Sequence, residues 1–141
     1  MSIPLLDGTI LLGEQLFDEQ NQELVINFNN LSKACQEGEC SDVVFTLLKY
    51  LNRYVSEHLP YEEALMELFN YPQQLEHREQ HARFRKDIES YTDMLAKYEP
   101  LEELVIRIYR TFFQWIINHV RKFDKDMLEF IRPHFAEVSC Q

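Results

Sequence analysis

Two pairs of polar residues are spaced so that each pair projects from one face of a helix. His58 and Glu62 are four positions apart, and so are His77 and His81, which makes them neighbours on a helical surface. His119 supplies a fourth imidazole. Mixed imidazole and carboxylate ligands suit iron, manganese or zinc, whereas calcium prefers an all-oxygen site. If these side chains meet, we expect them to bind a metal ion.

A further carboxylate, that of Asp124, follows His119 by five residues. Five positions place Asp124 away from the face of an ideal α-helix that His119 occupies. A loosened turn between the two residues would bring the carboxylate back to that face. Asp124 is a candidate ligand on that condition.

Four long segments can position these residues, because apolar residues recur in each at alternating steps of three and four, as in a helix that buries one stripe. The first two predicted stripes are Phe17, Asn21, Leu24, Phe28, Leu31 and Leu47, Leu51, Val55, His58, Glu62, Leu65, Phe69. The other two are His77, His81, Phe84, Ile88, Tyr91, Leu95 and Leu101, Leu104 or Val105, Ile108, Phe112, Trp115, His119. Four of the five histidines are thus expected to point inward, and His134 to lie on the surface.

Short breaks near residues 38–42, 71–72 and 99–100 separate the four segments. Ser41 is a candidate N-cap, and the proline in each of the later breaks suits the first position of a helix. Four amphipathic helices with short connections predict an all-α fold, an up-down-up-down antiparallel four-helix bundle.

Two prolines modify this prediction. Pro60 lies inside the second predicted helix and should disturb its hydrogen bonding. Residues 130–138, interrupted by Pro133, are expected to form a short C-terminal turn or helix. We expect one domain over residues 1–141.

The heights of the candidate ligands agree when residues are counted from the breaks. His58 and Glu62 lie 13 and 9 residues before a turn near residue 71, and His77 and His81 lie 6 and 10 residues after it. At about 1.5 Å per residue these pairs overlap in height on adjacent antiparallel helices. The polar stripe residues of the first and fourth helices reach the same layer. A single core histidine can be satisfied by hydrogen bonds, but a layer of four with a carboxylate favours metal.

The charge balance limits the classes of partner. Asp and Glu number 24 against 14 Lys and Arg, so the formal net charge is −10, which disfavours nucleic acid or an anionic membrane. No apolar run approaches the roughly 18 residues of a membrane span, and the N-terminal segment lacks the basic region of a secretory signal. We therefore expect a soluble cytoplasmic protein.

The three cysteines, Cys35, Cys40 and Cys140, are expected to be reduced thiols in that compartment. Cys35 and Cys40 flank a predicted loop, so a redox-sensitive pair is the alternative. A cysteine zinc site is disfavoured because no CxxC motif occurs.

Several motifs in order resemble the hemerythrins, specifically the bacterial single-domain kind. They are Tyr54-Val-Ser-Glu-His58-Leu-Pro-Tyr-Glu62-Glu63-Ala-Leu-Met66, Tyr71-Pro72, His77-x-x-x-His81-x-x-Phe84 and Trp115-x-x-x-His119-x-x-x-x-Asp124. The resemblance extends over roughly residues 13 to 132. Up-and-down four-helix bundles include a protein of this family, so the resemblance implies the same fold.

The resemblance also implies a non-haem di-iron centre that binds O2 reversibly, with an oxo or hydroxo group as one bridge. One iron would be held by three histidines, and two carboxylates would bridge the pair. The ligands implied at matching positions are His77, His81 and His119 for the first iron, Glu62 and Asp124 for the bridges, and His58 for the second iron. Leu59, Trp115 and Ile116 match the apolar wall of the oxygen pocket.

The first helix departs from the family pattern, Asp-x-Gln-His-x-x-Leu. This chain reads Asp18-Glu19-Gln20-Asn21-Gln22-Glu23-Leu24, so Asn21 takes the position of the second iron's histidine. Three outcomes stay open: a di-iron site completed by water or Asn21, a mono-iron site, or a bundle without a working centre. Asn21 itself is either a weak ligand or a buried amide that hydrogen-bonds a neighbour.

Two functions follow from the resemblance. The first is O2 binding for carriage, storage or sensing. The alternative is an iron-dependent redox enzyme that acts on peroxide, O2 or nitric oxide. An interaction module has little support in an isolated domain. We expect the partner to be O2 or another small diatomic or peroxide ligand, and the protein to be a monomer or weak oligomer.

Overall fold

The computed structural model describes residues 15–139; the N-terminal segment and Cys140 lie outside this range. The elements are α1 (Gln15–Gln36), α2 (Cys40–Arg53), a first π-helical segment (Tyr54–His58), α3 (Leu59–Leu68), α4 (Gln74–Lys97), α5 (Glu102–Asn118), a second π-helical segment (His119–Asp124) and α6 (Lys125–Ser139). No β-strand occurs among residues 15–139. None of the helices in this range is long and apolar enough to cross a membrane.

The elements form four long helices, because each π-helical segment continues directly into the α-helices beside it. Bundle helix 1 is α1, and bundle helix 2 comprises α2, the first π-helical segment and α3. Bundle helix 3 is α4, and bundle helix 4 comprises α5, the second π-helical segment and α6. Short turns join them, so the predicted all-α four-helix bundle is confirmed.

Details at the helix ends differ from the sequence-based expectation. Ser41 is not an N-cap: α2 begins one residue earlier, and the Ser41 hydroxyl donates a hydrogen bond of 2.7 Å to the Pro100 carbonyl at the α4–α5 turn. The two break prolines precede the first helical residue by two positions. Leu101, expected in the core, is 71% exposed because it is an extended residue just before α5. The predicted C-terminal turn or helix over residues 130–138 is the second half of a longer helix, α6, which contains Pro133.

Pro60 disturbs its helix as expected. It is the second residue of α3, which follows directly on the π-helical segment that ends at His58. A proline has no backbone N–H to donate, so the ladder of α-helical hydrogen bonds cannot continue unchanged through this position. The wider turn before it keeps bundle helix 2 continuous.

Two apolar clusters fill the interior, one on each side of the candidate ligands. The larger includes Leu24, Leu51, Tyr54, Phe84, Ile116 and Val120. The smaller consists of Phe17, Leu65, Met66, Tyr71, Met127, Leu128 and Ile131. On bundle helix 1, for example, buried Asn21 lies between Phe17 and Leu24. A polar layer therefore crosses the bundle between two dry regions.

Cys35 and Cys40 form a disulfide across the α1–α2 turn, with their Cα atoms 4.0 Å apart. The expectation of reduced thiols is therefore wrong for this pair. The reversal between them depends on Gly38, whose φ of 78° lies in the left-handed region that favours glycine. Both cysteines are buried.

Reduction of this disulfide should lower the stability of the metal-free protein by about 2 kcal/mol, since the bond closes a short loop in the unfolded chain. Chemical denaturation with and without a thiol reductant measures the difference. The variant Cys35→Ala/Cys40→Ala serves as the control, because its midpoint should not respond to the reductant. An identical midpoint for the wild-type protein in both conditions would contradict the expectation.

Candidate metal centre

Three imidazoles and one carboxylate meet at the first of two adjoining groups. The Nε2 atoms of His77 and His81 each lie 3.2 Å from Nε2 of His119. Oε1 of Glu62 lies 2.8 Å from His77 Nε2 and 3.3 Å from the other two Nε2 atoms. All four residues have 0% exposure. Ligand atoms about 2.1 Å from one ion lie roughly 3 Å apart, so this group has the dimensions of a metal site.

The second group consists of His58, Glu62 and Asp124, whose candidate ligand atoms lie within 4.8 Å of one another. Nε2 of His58 is 2.6 Å from Oε2 of Glu62. Glu62 therefore presents one carboxylate oxygen to each group. Asp124 also reaches the first group, since its Oδ1 lies 3.0 Å from Nε2 of His119 and 3.3 Å from Nε2 of His77. Two carboxylates are shared between the groups.

The second π-helical segment brings Asp124 into this position. Hydrogen bonds in a π-helix run between residues five apart, so a residue five positions on lies one turn along the same face. His119 and Asp124 are the first and last residues of the segment. The structure thus contains the loosened turn on which the candidacy of Asp124 depended.

Several buried polar atoms of the two groups have no hydrogen-bond partner in the described part of the chain. They are Nδ1 and Nε2 of His58, Oε2 of Glu62, Nδ1 of His77, Nδ1 of His119 and both carboxylate oxygens of Asp124. The short contact between His58 and Glu62 does not have hydrogen-bond geometry. Unpartnered buried polar groups are strongly unfavourable in apolar surroundings. Those that face the two groups, Nε2 of His58, Oε2 of Glu62 and the Asp124 oxygens, fit a metal ion better than they fit one another.

Two residues that the sequence did not reveal as functional, Glu63 and Arg85, orient the ring of His81. In the tautomer with the proton on Nδ1 and the lone pair on Nε2, Nδ1 of His81 donates a hydrogen bond of 3.3 Å to Oε1 of Glu63. Both terminal nitrogens of Arg85 donate to the Glu63 carboxylate, at 3.2 and 3.1 Å. Such outer contacts fix the orientation of ligand imidazoles. The sequence indicates this arrangement only through the spacing of Arg85, which follows His81 by four residues on α4.

Of the three pocket-wall residues expected from the sequence, Trp115 contacts a candidate ligand. The ring of Trp115 stacks on His119, with centroids 4.3 Å apart, and on Phe84, with centroids 3.8 Å apart. Leu59 and Ile116 are fully buried in the larger apolar cluster, against which Trp115 packs. Each of the four bundle helices contributes a buried polar residue to this layer, and on bundle helix 1 that residue is Asn21.

The charges within the layer offset one another. Burial alone would raise the pKa of Glu62, but the charge of His58 and the close contacts with Asp124 and His119 bring it well below its usual value. Burial would lower the pKa of His119, yet the nearby carboxylates of Asp124 and Glu62 raise it to about 10. The same carboxylates raise the pKa of His77 against the effect of burial. In the absence of metal, protons on imidazoles balance the two carboxylates.

Metal binding should therefore release protons at neutral pH. A metal ion needs the deprotonated imidazole, and the pKa of His119, about 10, keeps its proton bound at pH 7 in the metal-free protein. Affinity for Zn²⁺, a redox-inert probe, should rise as the pH increases toward that value. Calorimetric titration at pH 7 in two buffers of different protonation enthalpy measures the released protons.

The control for this titration is His134→Ala, which alters a histidine outside the polar layer and should leave the number of released protons unchanged. A binding heat that is the same in both buffers would show that no proton leaves.

Comparisons with known proteins agree with this geometry. The family model described as "Hemerythrin HHE cation binding domain" matches residues 12–131. Proteins named "Bacteriohemerythrin" from Pseudomonas aeruginosa and Pseudomonas paraeruginosa are each 25% identical over 126 residues, which cover 89% of this chain and 80% of the relative. The family match spans most of the chain and includes all six candidate ligands. The chain therefore belongs to the hemerythrin family.

Proposed function

We propose that this protein is a non-haem di-iron protein that binds O2 reversibly, for carriage, storage or sensing. The observation that carries the proposal is the sharing of Glu62 between two adjoining groups of buried ligands. A carboxylate with one oxygen toward each group suits a bridge between two ions. Asp124, which contacts the histidines of the other group, suits a second bridge. An oxo or hydroxo group would complete the bridging.

The two positions would differ in their affinity for iron. His77, His81 and His119 give the first position three imidazoles, whereas His58 is the only imidazole of the second group. Asn21 is fully buried on α1, at the position where the family pattern has a histidine. Amide oxygen is a weaker ligand than imidazole for iron. We propose that water or Asn21 completes the second position, which would then bind iron more weakly and stay open to small ligands.

The apolar wall would keep water from the centre on the side of His119. Leu59 and Ile116 are fully buried, and Trp115 covers one face of His119. When bound, the iron pair would supply the electrons for oxygen binding, and a dry pocket limits proton delivery and side reactions. The residues of this chain would then hold the ligand without turning it over.

The proposal also covers partners and location. The ligand of the protein is O2 or another small diatomic or peroxide molecule. The net charge of the protein, −10, disfavours nucleic acid as a partner. We propose a monomer or weak oligomer in the cytoplasm of a bacterium, where the Cys35–Cys40 disulfide would meet a reducing environment.

Anaerobic reconstitution with ferrous iron, followed by removal of the excess, tests the proposal. Two irons per chain are expected, with a visible absorption that appears on exposure to O2 and disappears on deoxygenation. His77→Ala should abolish iron binding, because it removes a ligand from the stronger position. His58→Ala should retain about one iron. Equal loss in both variants would contradict the asymmetry, and a wild-type protein without iron would overturn the proposal.

Restoring an imidazole on α1 is a separate test of the second position. Asn21→His should raise the affinity for the second iron and slow autoxidation of the O2 adduct. A gain of about 1.4 kcal/mol in binding would appear as a tenfold lower dissociation constant. Asn21→Ala is the matched control and should not raise the affinity. If Asn21→His binds the second iron as the wild type does, position 21 does not reach the metal.

The open second position also favours a second candidate function, an iron-dependent redox enzyme acting on peroxide, O2 or nitric oxide. The observation behind it is the single histidine in the second group. Steady consumption of added hydrogen peroxide by the loaded protein would favour the enzyme. A stable O2 adduct without peroxide turnover would favour the oxygen-binding protein.

A further inference from the structure

A cleft of about 210 Å³ opens between α1 and bundle helix 2, next to the second ligand group. Glu19, Gln20 and Glu23 line it from α1, and Tyr54, Glu57 and His58 line it from the first π-helical segment. We call it the His58 cleft. One of the six candidate metal ligands is therefore part of the wall of a cleft that opens to solvent.

Three buried polar atoms that belong to residues of the cleft wall have no hydrogen-bond partner in the described part of the chain. They are Oε1 of Gln20, the hydroxyl of Tyr54 and Nδ1 of His58. Tyr54 is 2% exposed and His58 is 1% exposed. An amide oxygen and an imidazole nitrogen can each replace a water molecule of a hydrated cation, and a hydroxyl can hydrogen-bond to the water that remains. The cleft is large enough to hold several water molecules or a hydrated ion.

His58 connects the cleft to the metal centre. Its ring stacks on that of Tyr54, with centroids 4.4 Å apart. Its Nε2 lies 2.6 Å from Oε2 of Glu62, while the same residue lines the cleft. A cation that leaves the cleft at its inner end thus meets first an imidazole and then a carboxylate of the second ligand group.

The charge of the cleft favours cations. Glu19, Glu23 and Glu57 are exposed carboxylates, and one guanidinium, that of Arg53, lies 3.6 Å from Glu57. Burial, followed by the charge of Glu23, holds the pKa of Tyr50 at the same cleft well above its usual value. A cleft with excess negative charge raises the local concentration of cations and their rate of association, and it disfavours anions.

A second acidic cleft, of about 300 Å³, provides a natural comparison. Three carboxylates, including Glu76 and Glu129, and one lysine line it, so its charge resembles that of the His58 cleft. None of the six candidate ligands is part of its lining. Phe123 lies between it and the centre, with its ring 5.7 Å from that of His77. Charge alone therefore does not distinguish the two clefts, whereas a ligand in the wall does.

We propose that a divalent first-row metal ion, ferrous iron in the cell, reaches the second metal position through the His58 cleft. The carboxylates at the mouth attract the hydrated ion, and Gln20, Tyr54 and His58 receive it as water is shed. This inference rests on the proposed function, because it requires a second metal position.

The test is the rate at which metal-free protein takes up ferrous iron under anaerobic conditions at low ionic strength. Unbound iron is trapped at set times by a chromogenic ferrous chelator, and iron per chain is measured at the end. Glu19→Gln/Glu23→Gln should take up the second equivalent about tenfold more slowly than the wild type, with the same final content. The difference should shrink in high salt, which screens the exposed carboxylates.

The matched control is Glu76→Gln/Glu129→Gln, which changes the net charge by the same amount at the comparison cleft. Its uptake should stay close to that of the wild type. Equal rates for the wild type and both double variants, or equal slowing in both variants, would overturn the access route while two irons still bind. A wild type that takes up only one iron would also overturn it. A wild type that takes up none would instead refute the proposed function.

Discussion

The bundle buries ionisable side chains in a layer that crosses its whole interior, and the rest of the structure accommodates that layer. Four imidazoles and two carboxylates lie there with almost no exposure. Charges removed from water are tolerated only when they are paired or bound to metal. The four bundle helices each present a polar residue at the same height, and apolar clusters close the layer from both ends. Helix register and core packing are therefore set by the need to satisfy one polar layer.

The hydrophobic pattern was sufficient to predict the bundle, its three turns and the layer, because helical periodicity places side chains by position alone. The five-residue step from His119 to Asp124 also indicated an irregular turn, and the structure has one there. Other features depend on tertiary contacts that no periodicity encodes. Glu63 acquires its role only when Arg85 and His81 on another helix reach it. The disulfide depends on how closely one turn brings two cysteines together.

The polar layer is asymmetric in both ligands and surroundings. His81 is held by an outer carboxylate that is itself held by a guanidinium, whereas Nδ1 of His58 has no such partner among the described residues. Aromatic rings contact the histidines on both sides, but only the less-supported side has a ligand, His58, in the wall of the polar cleft described above. The firmly held ligand, His81, and the ligand at the cleft, His58, thus lie on opposite sides of the shared Glu62 carboxylate. In such an arrangement the strength with which metal is bound on one side and the exchange of metal with solvent on the other can vary separately.

The second π-helical segment also affects residues that never touch the centre. Compared with a regular α-helix, a π turn holds one additional residue, and each residue of an α-helix advances the face by about 100°. All of α6 is therefore rotated about its axis relative to a regular continuation of α5. Met127, Leu128 and Ile131 face the interior in that rotated frame. Deleting a single residue between His119 and Asp124 would turn this apolar face away from the interior, so both the polar layer and the core depend on the length of the segment.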